Sequence, residues 1–172
     1  VIGRNGIIYI GSWDQNIHAI SADGNSIWRS PTLDHLVGTP AIGPNGNIYV
    51  GSYDFGIYGF DAAGKKLWVF PTLSYVMSSP IVGRNGTVYC GSDDGSLYAI
   101  NPENGEHIWT FVTGGRVRSS PSISHTGNIY IASFDGNIYS IEEETGQMVW
   151  SASIEPTEYE SPIVGMLGAI QS

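Results

Sequence analysis

NGTVYCGSDDGSLYAINPENGEHIW, residues Asn85–Trp109, decides the fold. Asn85-Gly86 predicts a two-residue turn with both positions at positive φ, the geometry that Asn-Gly tolerates best. Thr87–Gly91 is β-branched and aromatic and reads as a strand. Asp94-Gly95 signals a second hairpin, and Leu97–Ile100 alternates as the next strand. Asn101–Glu106, carrying Pro102 and Asn104-Gly105, is a third turn before a strand over His107–Val112. With Ser78–Val82 as the opening strand, the stretch is a four-stranded antiparallel unit.

The same unit recurs along the whole chain. The turn glycines Gly6, Gly46, Gly86 and Gly127 stand 40, 40 and 41 residues apart, and Trp28, Trp68, Trp109 and Trp150 stand 40, 41 and 41 apart. Two independent markers in one register define four copies, at about 1–40, 41–80, 81–121 and 122–162, and the start of a fifth at 163–172, with its first strands expected over Ser161–Ser172. Four-stranded units at a period of ~40–45 residues are the signature of β-propeller blades. The expected fold class is therefore all-β: a partial or half propeller of four blades plus the beginning of a fifth. No apolar stripe of 3.6-residue period is present, so no helix is predicted.

Composition agrees. The 172 residues are 41% hydrophobic and 12% aromatic, enough to bury a core. Only 13% are charged, and 23 glycines and 9 prolines favour short strands with tight turns. The net charge of −9 argues against nucleic acid, which is bound through Lys and Arg on phosphate. A single cysteine excludes an intrachain disulfide and a cysteine-built zinc site. No apolar run approaches the ~20 residues of a membrane-spanning helix, and no secretory signal is visible. The chain starts at Val1, and its ends read as cut from something longer.

The repeated pattern Gly-x-Ile/Val-Tyr-x-Gly-Ser-x-Asp-Gly-x-Ile/Leu-Tyr-Ala-Ile resembles the PQQ-like (pyrroloquinoline-quinone-type) propeller repeat. So do the endings AISADGNSIW (Ala19–Trp28), GFDAAGKKLW (Gly59–Trp68), AINPENGEHIW (Ala99–Trp109) and SIEEETGQMVW (Ser140–Trp150). These endings look like that family's tryptophan-docking motif, which implies that Trp28, Trp68, Trp109 and Trp150 pack between neighbouring blades. The resemblance covers essentially the whole chain. Fold alone does not carry function. Non-catalytic members, among them the propeller lipoprotein of bacterial outer-membrane barrel assembly, present loops to partner proteins. Catalytic members are dehydrogenases that hold PQQ over the channel with calcium or a lanthanide. They use Glu and Asn as ion ligands, an Asp base and a pair of adjacent cysteines. This sequence has no Cys-Cys pair and no residue matched to those roles. The expectation is a non-catalytic protein-binding or scaffolding module without cofactor, part of a periplasmic, cell-surface or secreted protein. A fragment of a PQQ-calcium dehydrogenase and a ligand-sensing receptor domain are the alternatives.

The remaining periodic residues read as structural. Tyr9, Tyr49, Tyr89 and Tyr130, and Tyr58, Tyr98 and Tyr139, are packing series, with His18 standing in the second series rather than binding a metal. Asp14, Asp54, Asp94 and Asp135 cap their own turns, since one carboxylate per copy is too few for calcium's roughly 6–8 oxygens. Asn85-Gly86-Thr87 is a formal glycosylation sequon but reads as the hairpin turn. Cys90 reads as a buried thiol. In repeat proteins function concentrates where copies differ. Here that is the link between blades: PTLDHLVGTP, PTLSYVMSSP, VTGGRVRSSP and EPTEYESP. One position reads His35, Tyr75, Arg116 and Thr157, another Val37, Met77, Arg118 and Tyr159, and both should ring one mouth of the channel. His35, Tyr75, Arg116, Arg118 and Tyr159 are thus the candidate binding-loop residues; the two arginines read as solvated loop charges, or as a fork for an anion or peptide carboxylate. The fourth copy carries seven acids and no Lys or Arg, against net −1, 0 and −1 for the first three. Its run Glu142–Glu144 reads as a solvated face, or a dock for a basic partner. Finally, an open arc leaves apolar blade faces bare. A fragment origin, a tight four-blade ring and a head-to-tail dimer closing eight blades each relieve this. The dimer is the state expected of the isolated chain, although the fifth-copy strands would compete for its junction.

Overall fold

The computed structural model describes residues 1–154. The sequence from 155 onward, including the expected fifth-copy strands and Thr157 and Tyr159, lies outside the described residues. Within them there are fifteen β-strands and no helix, and so no helix long and apolar enough to cross a membrane.

Each copy is one antiparallel sheet. In the second, strands β4 (Ala41–Ile42), β5 (Ile48–Gly51), β6 (Gly56–Phe60) and β7 (Lys66–Pro71) lie side by side in chain order. The third repeats this with β8 (Ile81–Val82), β9 (Val88–Gly91), β10 (Ser96–Ile100) and β11 (His107–Val112). The fourth continues the series with β12 (Ser122–Ile123), β13 (Asn128–Ala132), β14 (Asn137–Glu142) and β15 (Met148–Ser153). The first sheet has three full strands, β1 (Ile8–Gly11), β2 (Asn16–Ile20) and β3 (Ser26–Pro31). Its inner strand is reduced to Val1 and Ile2, held by two hydrogen bonds between Val1 and Tyr9 and a bridge from Ile2 to Ile8.

Two sequence expectations need correction. The inner strands are two residues long rather than the five of Ser78–Val82. The first hairpin is also not a two-residue turn. Gly86 N–H donates to Gly83 at 3.0 Å, Gly83 N–H donates to Thr87 at 2.8 Å, and only Gly86 has positive φ, at 90°. Asn85 instead turns its side chain inward and accepts the Thr87 N–H at 3.0 Å. The Asn-Gly pair thus works through an Asx contact and one left-handed glycine, which adds a residue to the loop.

The core lies between sheets. Ile48 and Val50 of the second sheet pack with Ile17, Ala19 and Leu36 of the first copy, and Tyr49, Ile57 and Phe70 pack with Val88, Cys90 and Tyr98 of the third. Tyr89, Leu97 and Val117 pack with Ile129, Ile131 and Ile141 of the fourth. A sheet with neighbours on both sides buries both faces, which explains why β5, β6, β9 and β10 are buried at every residue. Cys90 is fully buried there, and burial pushes its thiol up to about 12. The residue opposite each outer-strand tryptophan is small: Ala19, Gly59, Ala99 and Ser140. A β-bulge comes directly after it in all four sheets, at Ala19/Ile20, Gly59/Phe60, Ala99/Ile100 and Ser140/Ile141.

Candidate functional site: one mouth of the channel

Each inter-sheet link is fastened at two levels. The Thr72 hydroxyl reaches the carbonyls of Phe55 at 2.9 Å and Ser74 at 2.7 Å, and Thr32 and Thr113 repeat this in their own links. The repeated aspartates then clamp the link of the preceding copy. Leu33 N–H donates to Asp54 at 2.8 Å, Leu73 N–H to Asp94 at 2.9 Å, and Gly114 N–H to Asp135 at 2.7 Å. The same carboxylates cap their own turns, accepting from Gly56, Ser96 and Asn137 N–H, and accept from the Tyr58, Tyr98 and Tyr139 hydroxyls. In the first copy His18 takes the tyrosine's place, with Nε2 2.9 Å from Asp14. The sequence had suggested only the turn cap; the clamp across sheets is the additional role.

Burial alone would raise the Asp135 carboxyl, but hydrogen bonds from Tyr139, Gly114 and Asn137 outweigh it and hold the group below the ordinary carboxylate value. A depressed native pKa stabilises the fold above the unfolded-state value, near 4, and the contribution is lost as pH falls through the native value. Urea midpoints measured between about pH 6 and about pH 2.5 should therefore fall more steeply in acid for the wild type than for Asp135→Asn. Parallel profiles would show that Asp135 is not part of the clamp.

Fastened in this way, the links and the second hairpin turns come together at one end of the sheets, the end expected to face a mouth of the channel. Tyr53, Asp93 and Phe134 N–H groups donate to the carbonyls of His35, Tyr75 and Arg116 at 2.9–3.0 Å. Their side chains add a series that was not among the candidates from sequence: Trp13, Tyr53, Asp93 and Phe134, the variable residue in Gly-Ser-x-Asp or its Ala-Ser form. Trp13 stacks on His35 at 5.1 Å, His35 meets Tyr53 at 6.3 Å, and Tyr53 meets Tyr75 at 5.1 Å. Phe55 stands edge-on to Tyr75, also at 5.1 Å. His35 and Tyr75 thus belong to one aromatic strip crossing two sheets. Trp13 is 68% exposed, and beside the strip Leu33 and Leu73 are 79% and 86% exposed.

Phe55 is held at φ 70° where the third and fourth copies have Gly95 and Gly136. The left-handed region costs a non-glycine residue about 1–2 kcal/mol. Gln15 shares that conformation in the first copy, at φ 67°.

The strip ends in charge. Asp93, with 3% of its side chain exposed, receives both Arg118 bonds, from Nε at 2.9 Å and Nη2 at 2.7 Å. Arg118 also lies over the Phe134 ring at 5.4 Å. Its fork, read from sequence as a solvated loop charge or else an anion contact, is taken up internally. Arg116 is 3.9 Å from Asp93 and 59% exposed, so its guanidinium is the one of the two that faces solvent. A carboxylate with both oxygens on a guanidinium is a poor ligand for calcium, so Asp93 does not fit the role of an ion ligand here. Among the described residues no three His, Cys, Asp or Glu side chains converge.

The candidate tryptophans lie elsewhere, away from the mouth. The indole N–H groups of Trp28, Trp68 and Trp109 donate to Ala62, Pro102 and Glu143 carbonyls of the next copy at 3.0, 3.0 and 3.2 Å. Trp150, on the last sheet, is 43% exposed.

Many solved structures share this architecture, two of them as follows. BamB from Moraxella catarrhalis superimposes with a TM-score of 0.77 at 18% identity, over 88% of this chain and 47% of that one. A chain of the mitotic checkpoint complex does so with a TM-score of 0.77 at 12% identity, over 87% and 48%. Identities this low establish likeness of fold alone, and the chain spans about half the length of the structures it matches. Comparison with curated proteins finds no match. The family model described as outer membrane protein assembly factor BamB matches residues 13–170. With four sheets repeating the sequence pattern and a family match over nearly its whole length, the chain belongs to the BamB-type family of PQQ-like propeller repeat proteins.

Proposed function

We propose that this chain is a non-catalytic, protein-binding segment of an extracytoplasmic propeller, and that the aromatic mouth is its docking surface. The carrying observation is the pairing of exposed Leu33 and Leu73 with an aromatic strip one of whose members, Phe55, is kept in a strained backbone conformation. Exposed apolar groups on a firmly fastened loop favour association, and strain retained at a surface residue points to use. The family's description as an assembly factor supports a scaffolding role and a site outside the cytoplasm, whether periplasmic, cell-surface or secreted. The missing cysteine pair and the internally bound Asp93 weigh against a quinone.

A phage-displayed library of random peptides tests the docking surface. Selection on the wild-type chain should yield peptides rich in apolar residues, with an acidic group suited to Arg116. Binding should fall at least tenfold, about 1.4 kcal/mol, on Leu73→Asp and Tyr75→Ala variants of unchanged fold. Peptides indifferent to both substitutions would move the docking surface elsewhere. A quinone absorption band acquired on adding PQQ and calcium would favour the dehydrogenase reading.

A further inference from the structure

The first hairpins stand at the end of the sheets opposite the links, and each meets the third turn of the next copy. In two of these junctions a carboxylate fills the space between hairpin and turn. Glu103 of the third copy accepts from Asn45 Nδ2 at 2.9 Å. Glu143 of the fourth copy lays a carboxylate oxygen against Gly83, 3.5 Å from the Tyr89 hydroxyl. The tyrosine hydroxyls also reach the turn carbonyls, Tyr49 to Pro102 at 3.5 Å and Tyr89 to Glu143 at 3.2 Å.

The junction of the first and second copies lacks that carboxylate. The turn of the second copy reads Ala62-Ala63 where the third has Pro102-Glu103 and the fourth Glu143-Glu144. A methyl group accepts no hydrogen bond, so two donors are left over. Asn5 uses only its side-chain oxygen, which accepts the Ile7 N–H at 3.1 Å. Neither its amide nitrogen nor the Tyr9 hydroxyl has a hydrogen-bond partner among the described residues. Tyr9 is 2% exposed, and a buried polar group without a partner is costly. Both residues line a cleft that crosses the first hairpins of three consecutive copies, with Ile42 and Pro44 in its middle. Arg4 lines it on the side of the first copy and Arg84 on the side of the third. The chain has 16 acidic residues, yet none lines this cleft, and neither arginine forms an ion pair among the described residues.

We infer that this cleft binds a small organic dicarboxylate. One carboxylate takes the place beside Asn5 and Tyr9 that Glu103 and Glu143 fill in the other junctions, and Arg4 pairs with it. The carbon chain crosses Ile42 and Pro44 and brings the second carboxylate to Arg84. Guanidinium groups hold carboxylates through paired N–H donors, and the Asn amide and Tyr hydroxyl add neutral ones. Two acids match two arginines. The second copy suits the span between them, because it has Pro44 where the others have Arg4, Arg84 and His125.

Titration with glutarate and with butyrate, followed by nuclear magnetic resonance of the first-hairpin amides, tests the site. Both acids should bind there, glutarate about tenfold tighter for its second charge-assisted contact. Arg84→Gln should bring glutarate down to the affinity of butyrate and leave butyrate unchanged. Arg4→Gln should weaken both by about tenfold, and Tyr9→Phe by about threefold, the loss of one neutral hydrogen bond. Ala63→Glu gives the second copy the carboxylate that Glu103 supplies to the third, and should abolish binding of both acids. Arg29→Gln, at an exposed arginine outside the cleft, should change nothing. Arg4, Arg29, Ala63 and Arg84 are all exposed, so these four variants keep the fold. Absence of a saturable shift at the first hairpins overturns the inference. So does glutarate binding no tighter than butyrate, binding that survives Ala63→Glu, or an equal loss on Arg29→Gln.

Discussion

Replacing Trp68 by alanine is expected to destabilise the chain by about 3–5 kcal/mol, the range for truncating a large buried aromatic. Trp68 is 8% exposed, stacks on Tyr49 at 5.6 Å, and is part of the core shared by the second and third sheets. Its removal opens a cavity between sheets and leaves the Pro102 carbonyl only the Tyr49 hydroxyl, at 3.5 Å. For a chain of this size each kcal/mol lowers the melting temperature by roughly 2–4 °C, so calorimetry resolves the effect easily. Trp150→Ala, made on a ring that is 43% exposed and meets Tyr130 at 5.8 Å, should cost clearly less. Equal losses from the two substitutions would contradict the placement of Trp68 between two sheets.

Arg118→Ala should cost about 2–4 kcal/mol, toward the lower side of the loss incurred when one member of a buried ion pair is deleted. Asp93 would keep its charge in a place with 3% side-chain exposure and retain only Arg116, 3.9 Å away. Partial exposure of Arg118 and the remaining guanidinium moderate the loss. Arg116→Ala, by contrast, removes an exposed side chain and should shift stability by no more than about 0.5 kcal/mol. Urea titrations of the two variants decide the matter. Similar midpoints would mean that Asp93 is satisfied in some other way, and that the fork of Arg118 is free for a ligand.

The fold was legible because its markers repeat. Glycine turns and tryptophans in one register located the sheets, and His107–Val112 matches β11 residue for residue. Local turn chemistry was less legible, since Asn-Gly carries two meanings. It can form a tight hairpin with two left-handed residues, or an Asx contact and then one left-handed glycine, and the longer loop is what the short inner strands allow. At the mouth, comparing copies drew attention to His35, Tyr75, Arg116 and Arg118 in the links. The same comparison at the x of Gly-Ser-x-Asp reads Trp13, Tyr53, Asp93 and Phe134, which differ at least as much and face the same opening. That signal was present in the pattern, hidden by treating x as filler. The capture of Arg118 by Asp93 was beyond reach, because the two are 25 residues apart and meet only when one sheet's turn lies under the next link. Likewise, the aspartates' second task as clamps depends on a neighbour in space and leaves no mark in their own turns.

The fastening of each sheet to its successor bears on how such chains change in length over generations. Three series of inter-sheet bonds join one copy to the next through equivalent positions: indole to carbonyl, link N–H to aspartate, turn N–H to link carbonyl. A gene that gains or loses one whole copy by unequal crossing-over therefore creates no unmatched junction inside the row, since the new neighbours meet with the groups the old ones used. Only the ends register the event, as a change in how many sheets stand between them. Partial duplications lack this protection, because a cut within a copy separates the tryptophan from its own turn and leaves both unmatched. Whole copies are thus the unit in which this architecture can be lengthened, shortened or divided between polypeptides.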